Sequence, residues 1–399
     1  MTSTIETDIV QPQSGTNTNL QLKPKGTGAV TVSGQAMPTD GGLFTGRSVT
    51  INGAMQVSQR GTSESGITTA QYADAPDRWG IQITTAGTWT ASQSTTAPDG
   101  FSHSYKMDCT TADASLAAGD RLYLYQKIEG QNLQRFAKGS SSAKKYVVSF
   151  WVRSTKTGTY ICSLWDANNS RQCSQSYSIG SADTWTQISV DFPADTTGAI
   201  TSDANQGMQL IFYLAAGSTY SSGTLSTTWE ASASANRAVG QVNVADSTDN
   251  DFYITGIQME AGDAATPFEF ESVGQTLQKC QRYYETSYPV GVTVPTNAQG
   301  QGPVVMFAGT ETMAGSASIR YSGGRFSVAK RAAPTVAIYS YANSTSGAIS
   351  SADTTDLAAS SGVAIWIGAG GYNMQTNATG TISPVNGGFM WHFAADAEL

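Results

Sequence analysis

The chain has 399 residues, of which 13% are charged, with 22 Lys and Arg against 30 Asp and Glu for a formal net charge of −8. Nucleic acid and anionic membranes are read by clustered positive charge, so this balance argues against both as partners. Only two His, His103 and His392, are present and stand far apart, which disfavours His-based triads and multi-His metal sites, while 39% hydrophobic residues leave enough material for a core.

The opening stretch MTSTIETDIVQPQSGTNTNL carries neither a basic n-region nor an apolar h-region, and so does not read as a secretory signal. No apolar run nears the ~20 residues of a membrane-crossing helix. Synthesis in a cytoplasm, without membrane insertion, is the expectation. Within residues 1–42, NLQLKPKGTGAVTVSG reads as strand, Gly-rich turn and strand, with Leu20 and Leu22 answered by Val30 and Val32. A hairpin with so few apolar residues does not hold itself together. These four residues are therefore candidates for oligomerisation or docking, ahead of a linker from Met37 to Gly42.

Residues 43–271 read as β throughout. YVVSFWVRS places Tyr146, Val148, Phe150 and Val152 on one face and Trp151 and Arg153 on the other. The same period of two sets Met208, Leu210, Phe212 and Leu214 against Gln209, Ile211, Tyr213 and Ala215. Short strands separated by turn signals point to a β-sandwich. Cys162 and Cys173 come close enough in sequence to face one another across a hairpin, but free buried thiols are the expectation for a chain folded in a reducing cell.

One segment, residues 272–287, predicts a helix. Ser272 is placed to cap it and Gln275 to reach back as a capping box. Val273, Leu277, Cys280 and Tyr284 then fall on one apolar stripe, which must be buried either on a two-fold or three-fold axis between subunits or on the preceding sandwich. Val273, Leu277 and Tyr284 are thus further oligomerisation candidates. Residues 288–399, with pieces such as TVAIYSY, GVAIWIG and GGFMWHFAAD, read as a second, smaller β domain.

The order of strands in the middle of the chain resembles the jelly-roll, carbohydrate-binding-module-like domains of bacterial glycan-active enzymes and tailed-phage fibres. The residues that carry it are Asn52-Gly53-Ala54-Met55-Gln56, the strand from Tyr146 to Val152, Asp183-Thr184-Trp185-Thr186-Gln187, and the strand from Phe252 to Glu260. NGAMQVSQRGTS, YADAPDRWGI, and ITGIQMEAGDAATPFEFES running into LQKCQRYYE resemble, more specifically, phage tail-fibre receptor-binding proteins. That resemblance implies a structural virion protein of the tail, made in the host cytoplasm. It implies a homotrimer that docks on a tail or baseplate protein through its N-terminus and meets host-surface polysaccharide or lipopolysaccharide. A secreted bacterial glycan-binding module and a virion-associated polysaccharide esterase or depolymerase are the alternatives. Related jelly rolls hold a structural calcium near the first and last strands, where Asn52, Asp251 and Glu260 offer only a thin oxygen set, so no cofactor or metal is expected.

Catalytic signals are poor. Glycoside hydrolysis needs two carboxylates converging in a cleft, and the densest acidic run, Asp246, Asp249 and Asp251, sits in a polar turn. No Ser lies in a nucleophile-elbow context. Binding signals are better, because aromatic faces stack on the C–H faces of sugar rings while amides and hydroxyls meet sugar hydroxyls. The alternation turns Trp151, Arg153, Trp165 and Tyr213 away from the core, with Tyr220 in a nearby loop, and these five are the glycan-binding candidates. The plainer reading covers these outward aromatics with long loops or a neighbouring subunit.

Overall fold

The computed structural model describes residues 31–32, 35–36, 46–296, 302–307, 318–321, 323–351, 356–378 and 388–399. At the N-terminus β1 (Thr31–Val32) pairs with β2 (Gln35–Ala36), Val32 opposite Gln35. Leu20, Leu22 and Val30 of the expected hairpin lie outside the described residues.

The chain then winds through β3 (Ser63–Ile67), β4 (Gly80–Thr84), β5 (Thr88–Ser94), β6 (Ser104–Thr111), β7 (Arg121–Glu129) and β8 (Tyr146–Ser154). It continues through β9 (Gly158–Asp166), β10 (Arg171–Ile179), β11 (Thr186–Phe192), β12 (Gln206–Ala216), the short helix α1 (Ser218–Ser221), β13 (Glu230–Ala231) and β14 (Asp251–Ala261). These strands form two six-stranded sheets, one ordered β13-β10-β9-β12-β7-β4 and the other β11-β8-β14-β6-β5-β3. Every pairing within them is antiparallel. The result is a β-sandwich, as the alternation predicts, and a jelly roll, as the resemblance implies.

The core follows from that alternation. Tyr146, Val148, Phe150 and Val152 of β8 are fully buried and meet Met208, Leu210, Phe212 and Leu214 of β12 between the sheets. The Phe212 ring lies 5.0 Å from Phe150 and 6.2 Å from Trp79, tying both layers together. Such a ring contributes about 1.5–3 kcal/mol by leaving water. Cys162 pairs with Gln175 and Cys173 with Leu164, so the two thiols are not opposite one another; both are free and buried in the core.

The helix α2 (Val273–Gln281) starts as expected, with the Ser272 side chain accepting from the Gln275 amide in a capping box. Its extent and its buried face differ from the expectation. It ends at Gln281, and the residues that face inward are Thr276 and Cys280, while Val273 is 54% exposed and Leu277 only half-buried. Tyr284 is not on the helix at all. It opens β15 (Tyr284–Thr286), where it pairs with Asp396 and is buried beneath the Arg60 guanidinium, 3.7 Å from its ring centroid. A residue on the helical period was captured instead by a strand partner far along the chain. Tyr284 is therefore spent inside one chain rather than offered to another.

The last region is an eight-stranded antiparallel sheet. It contains β15, β16 (Val304–Phe307), β17 (Ser318–Tyr321), β18 (Thr335–Ser340), β19 (Ala348–Ser351), β20 (Asp356–Gly368), β21 (Gly371–Ala378) and β22 (Gly388–Asp396). β22 is its organising strand, pairing with β15, β16, β18 and β19. Its small core gathers Ile349, Met374, Phe389 and Trp391, whose indole N–H donates to the Tyr372 hydroxyl at 3.0 Å.

A polar seam joins this sheet to the sandwich. Buried Arg78 pairs with Glu398 and stacks 3.4 Å from the Tyr283 ring centroid, and Gln59 bridges Asp77 and the Tyr284 carbonyl at 2.7 and 2.8 Å. Arg282 forks onto Glu129 at 2.7 and 2.8 Å. Burial pushes the Glu129 carboxyl up, but this fork and the Tyr283 hydroxyl outweigh it and hold the group below its usual range. Removing one partner from such a buried pair leaves a stranded charge, a loss of about 3–5 kcal/mol.

Candidate functional site

The outer face of the β9-β12-β7 layer is built by register. Antiparallel partners share a face, so Trp165 on β9 stands beside Gln209 on β12 and Gln172 on β10. Further along the same face Tyr213 is opposite Tyr123 of β7. The core residues Cys162 and Leu164 fix the direction: they turn Ser163 and Trp165 outward. The face should be wet, yet the segment from Gly217 to Asn243 folds back over part of it, and Tyr220, Leu225 and Ala238 pack on Tyr123 and Tyr213. That cover leaves Tyr213 only 1% exposed, with its ring edge-on to Tyr123 at 5.1 Å. Burial pushes the Tyr213 hydroxyl well above its ordinary range.

Beside the cover a cleft of about 130 Å³ stays open, lined by Tyr123, Ser163, Trp165, Gln172, Gln209, Ile211, Tyr213 and Arg237. Its polar walls are held in place. Ser174 Oγ donates to Ser163 Oγ at 2.9 Å or to the Arg237 carbonyl at 2.8 Å. Gln172 donates through Nε2 to Glu230 Oε1 and the Ala233 carbonyl and accepts at Oε1 from Arg237 Nε at 3.1 Å. One donor is left over. The indole N–H of Trp165 is buried and has no hydrogen-bond partner among the described residues. An aromatic ring, a free indole donor and fixed amide and guanidinium groups around one cleft can hold a small polar ligand that has both apolar faces and hydroxyls.

The structure brings Trp165, Tyr213 and Tyr220 to this face, and takes Trp151 and Arg153 to the other. β8 belongs to the opposite sheet, so both point out from the far side of the sandwich. There Trp151 lies beside Gly256, whose φ of +63° and contacts with Phe101 and Trp151 leave no room for a side chain. Phe101, Phe268 and Phe270 cluster with centroids 4.9–5.1 Å apart, and Phe270 is 57% exposed. Arg153 is fully engaged with Asp183, donating to its carboxylate at 2.6 Å and its carbonyl at 3.0 Å, and sits over Tyr253. One platform of all five residues is not formed.

Sequence reasoning passed over Tyr123, Ser163, Gln172, Gln209 and Arg237. Tyr123 and Tyr125 alternate with Leu122 and Leu124 in RLYLYQKIE, a signal that could have found them. Arg237 lies in irregular chain and carries no such signal.

Asn52, Asp251 and Glu260 do not converge. Asn52 closes a turn, donating to the Val57 and Asp77 carbonyls at 2.8 and 3.0 Å, and Glu260 accepts from the Thr266 amide at 2.8 Å. Asp251 lies at the other end of β14 near Lys106, 3.8 Å away. Among the described residues no group of three or more His, Cys, Asp or Glu could hold a metal ion. Folding does bring Ser287 Oγ to 3.0 Å from His392 Nδ1, but His392 is fully buried and that Oγ accepts from the Phe393 amide. No helix among the described residues is long and apolar enough to cross a membrane.

No protein-family model matches the chain, and no curated protein does. Among solved structures the chain is similar to the enzymatically active domain of tailspike protein 4 of bacteriophage CBA120, with TM-score 0.28 and 11% identity over 54% of this chain and 21% of that one. It is similar also to the N-terminal cellulose-binding domain of β-1,4-glucanase C from Cellulomonas fimi, with TM-score 0.26 and 13% identity over 54% and 99% of the two chains. A family 11 carbohydrate-binding module from Clostridium thermocellum, in complex with a mixed-linked tetrasaccharide, gives TM-score 0.25 and 10% identity over 53% and 99%. At such values the likeness assigns neither ligand nor activity.

Proposed function

We propose that the chain is a glycan-binding protein whose ligand sits in the Trp165 cleft, and that it serves without catalysis as a homotrimeric tail-fibre protein of a tailed-phage virion, attaching to host-surface polysaccharide or lipopolysaccharide. The observation that carries the binding reading is the buried indole N–H of Trp165, left without an acceptor beside the hydrogen-bonded Ser163, Gln172 and Arg237. A buried donor without a partner costs about 1–3 kcal/mol, which a ligand hydroxyl or ring oxygen relieves. The Trp165 ring covers an apolar sugar face while Gln209 and Arg237 meet its polar edge. The virion reading is supported by the joined run ITGIQMEAGDAATPFEFES and LQKCQRYYE.

Electrophoresis of the full chain through gels containing purified host-surface polysaccharides tests the binding. Retardation by at least one polysaccharide, lost in Trp165→Ala, is expected, and free migration through all of them would reject the reading. Antibody labelling of intact virions tests the place, with decoration of the tail expected. Light scattering tests the assembly: a particle of three 41.8 kDa chains is expected, and a 41.8 kDa particle would contradict it.

A further inference from the structure

One guanidinium in the cleft wall, Arg237, and one behind it, Arg121, have no carboxylate partner. Arg237 lines it and spends its Nε and Nη2 on neutral oxygens, Gln172 Oε1 at 3.1 Å and Ser232 Oγ at 2.6 Å. Arg121, at the start of β7, is held over the Tyr220 and Tyr123 rings, 5.0 and 5.9 Å from their centroids. The Arg121 side chain makes no hydrogen bond or ion pair among the described residues, and its Nε is buried without an acceptor. Tyr123 is the shared neighbour, touching Arg121 and lining the cleft with Arg237.

A carboxylate partner is the rule for the fully buried cations of this molecule. The chain carries a net charge of −8. Arg60 pairs with Asp77, Arg78 with Glu398, Lys138 with Asp166 and Lys330 with Glu285, whereas half-buried Arg47 and Arg331 donate to backbone carbonyls instead. The one carboxylate tied into the cleft wall, Glu230, is taken by Gln172 and Asn236 and forms no ion pair with Arg237. A half-buried guanidinium held by neutral oxygens and without a counter-charge matches an anion that arrives with a ligand.

We infer that the cleft selects an anionic glycan, the charged substituent of the sugar being met by Arg237, with the charge of Arg121 behind Tyr123 adding to the attraction, while Trp165 covers the ring. This rests on the glycan-binding reading of the same cleft. Carboxylate of an acidic sugar and phosphate or sulfate on a neutral one share the chemistry, since each offers paired anionic oxygens to a guanidinium fork.

The test uses the full chain on an array of purified bacterial surface polysaccharides, acidic and neutral. Every acidic polysaccharide that binds is printed again after carboxyl reduction and after removal of phosphate and sulfate. The expected positives are acidic. Their signal falls on carboxyl reduction if the substituent is a carboxylate, or on phosphate or sulfate removal if it is an ester. Arg237→Gln weakens binding about 10- to 100-fold, the range of one lost charge-assisted hydrogen bond, and Arg121→Gln weakens it by a smaller factor, each with the unfolding midpoint retained. Arg237→Lys keeps part of the affinity, and binding weakens as salt rises from 50 to 500 mM, roughly as screening demands. Trp165-dependent binding of a neutral polysaccharide, untouched by either Arg substitution, would overturn the charge selection and leave the cleft standing. Failure to bind any polysaccharide would remove both.

Discussion

The two outer faces of the sandwich carry similar residue types and do different things with them. On the β8-β14 face the cations are paired locally, Arg153 with Asp183 and Lys106 with Asp108, and Trp185 rests edge-on against Tyr253. On the β9-β12-β7 face Trp165 keeps a donor and Arg121 and Arg237 keep their charge. An outward aromatic is therefore a weak sign of a site, and an outward aromatic beside unspent donors is a strong one. The cover makes the second difference. The segment from Gly217 to Asn243 walls the β9-β12-β7 face into a cleft, whereas the Phe101, Phe268 and Phe270 cluster lies open.

The largest effect tests whether both faces hang on one core. Phe212→Ala, at a fully buried ring between Trp79 and Phe150, is expected to lower unfolding stability in urea by about 3–5 kcal/mol and to weaken both faces together. Trp165→Ala comes next. Truncating such an anchor loses about 2 kcal/mol of binding or more, roughly 30-fold by calorimetry, with far less change in unfolding than Phe212→Ala shows. Tyr213→Ala is expected to behave like a core change instead, because that ring is 1% exposed.

A smaller effect separates the faces from the seam beneath them. Burial, with the charge of nearby Glu64, pushes the Asp74 carboxyl up to about 6. An acid whose folded pKa is raised costs the folded state more as pH climbs from its unfolded value of ~3.9. Stability from this group is thus lost between about pH 4 and 6, and Asp74→Asn is expected to raise the melting temperature at pH 7, leave it unchanged at pH 3, and leave glycan affinity alone. The smallest effect is on the far face: Trp151→Ala is expected to keep affinity within about two-fold, well inside the ~1 kcal/mol that separates an anchor from a bystander.

The period-two pattern made the inside and outside of each strand legible, and the Ser272 and Gln275 pair marked the helix start. It did not make sheet membership legible. β8 and β9 are consecutive in the chain and lie in opposite sheets, so Trp151 and Trp165, both outward, end up on opposite sides of the molecule. Alternation carries one bit per residue, while the crossover is set by long-range pairing. The same limit misplaced Tyr284, which falls on the helical period yet is claimed by Asp396 across β22. The lack of a carboxylate beside Arg121 and Arg237 was also invisible, since a missing counter-charge appears only when the neighbours are in place.

The most direct measurement is a crystal structure of the full chain with a bound oligosaccharide cut from a polysaccharide that retards it. A sugar ring over Trp165, an oxygen accepting from its indole N–H, and nothing on the opposite face are expected. A sugar seated on Trp151, Phe101 or Phe270, with the Trp165 cleft empty, would contradict it.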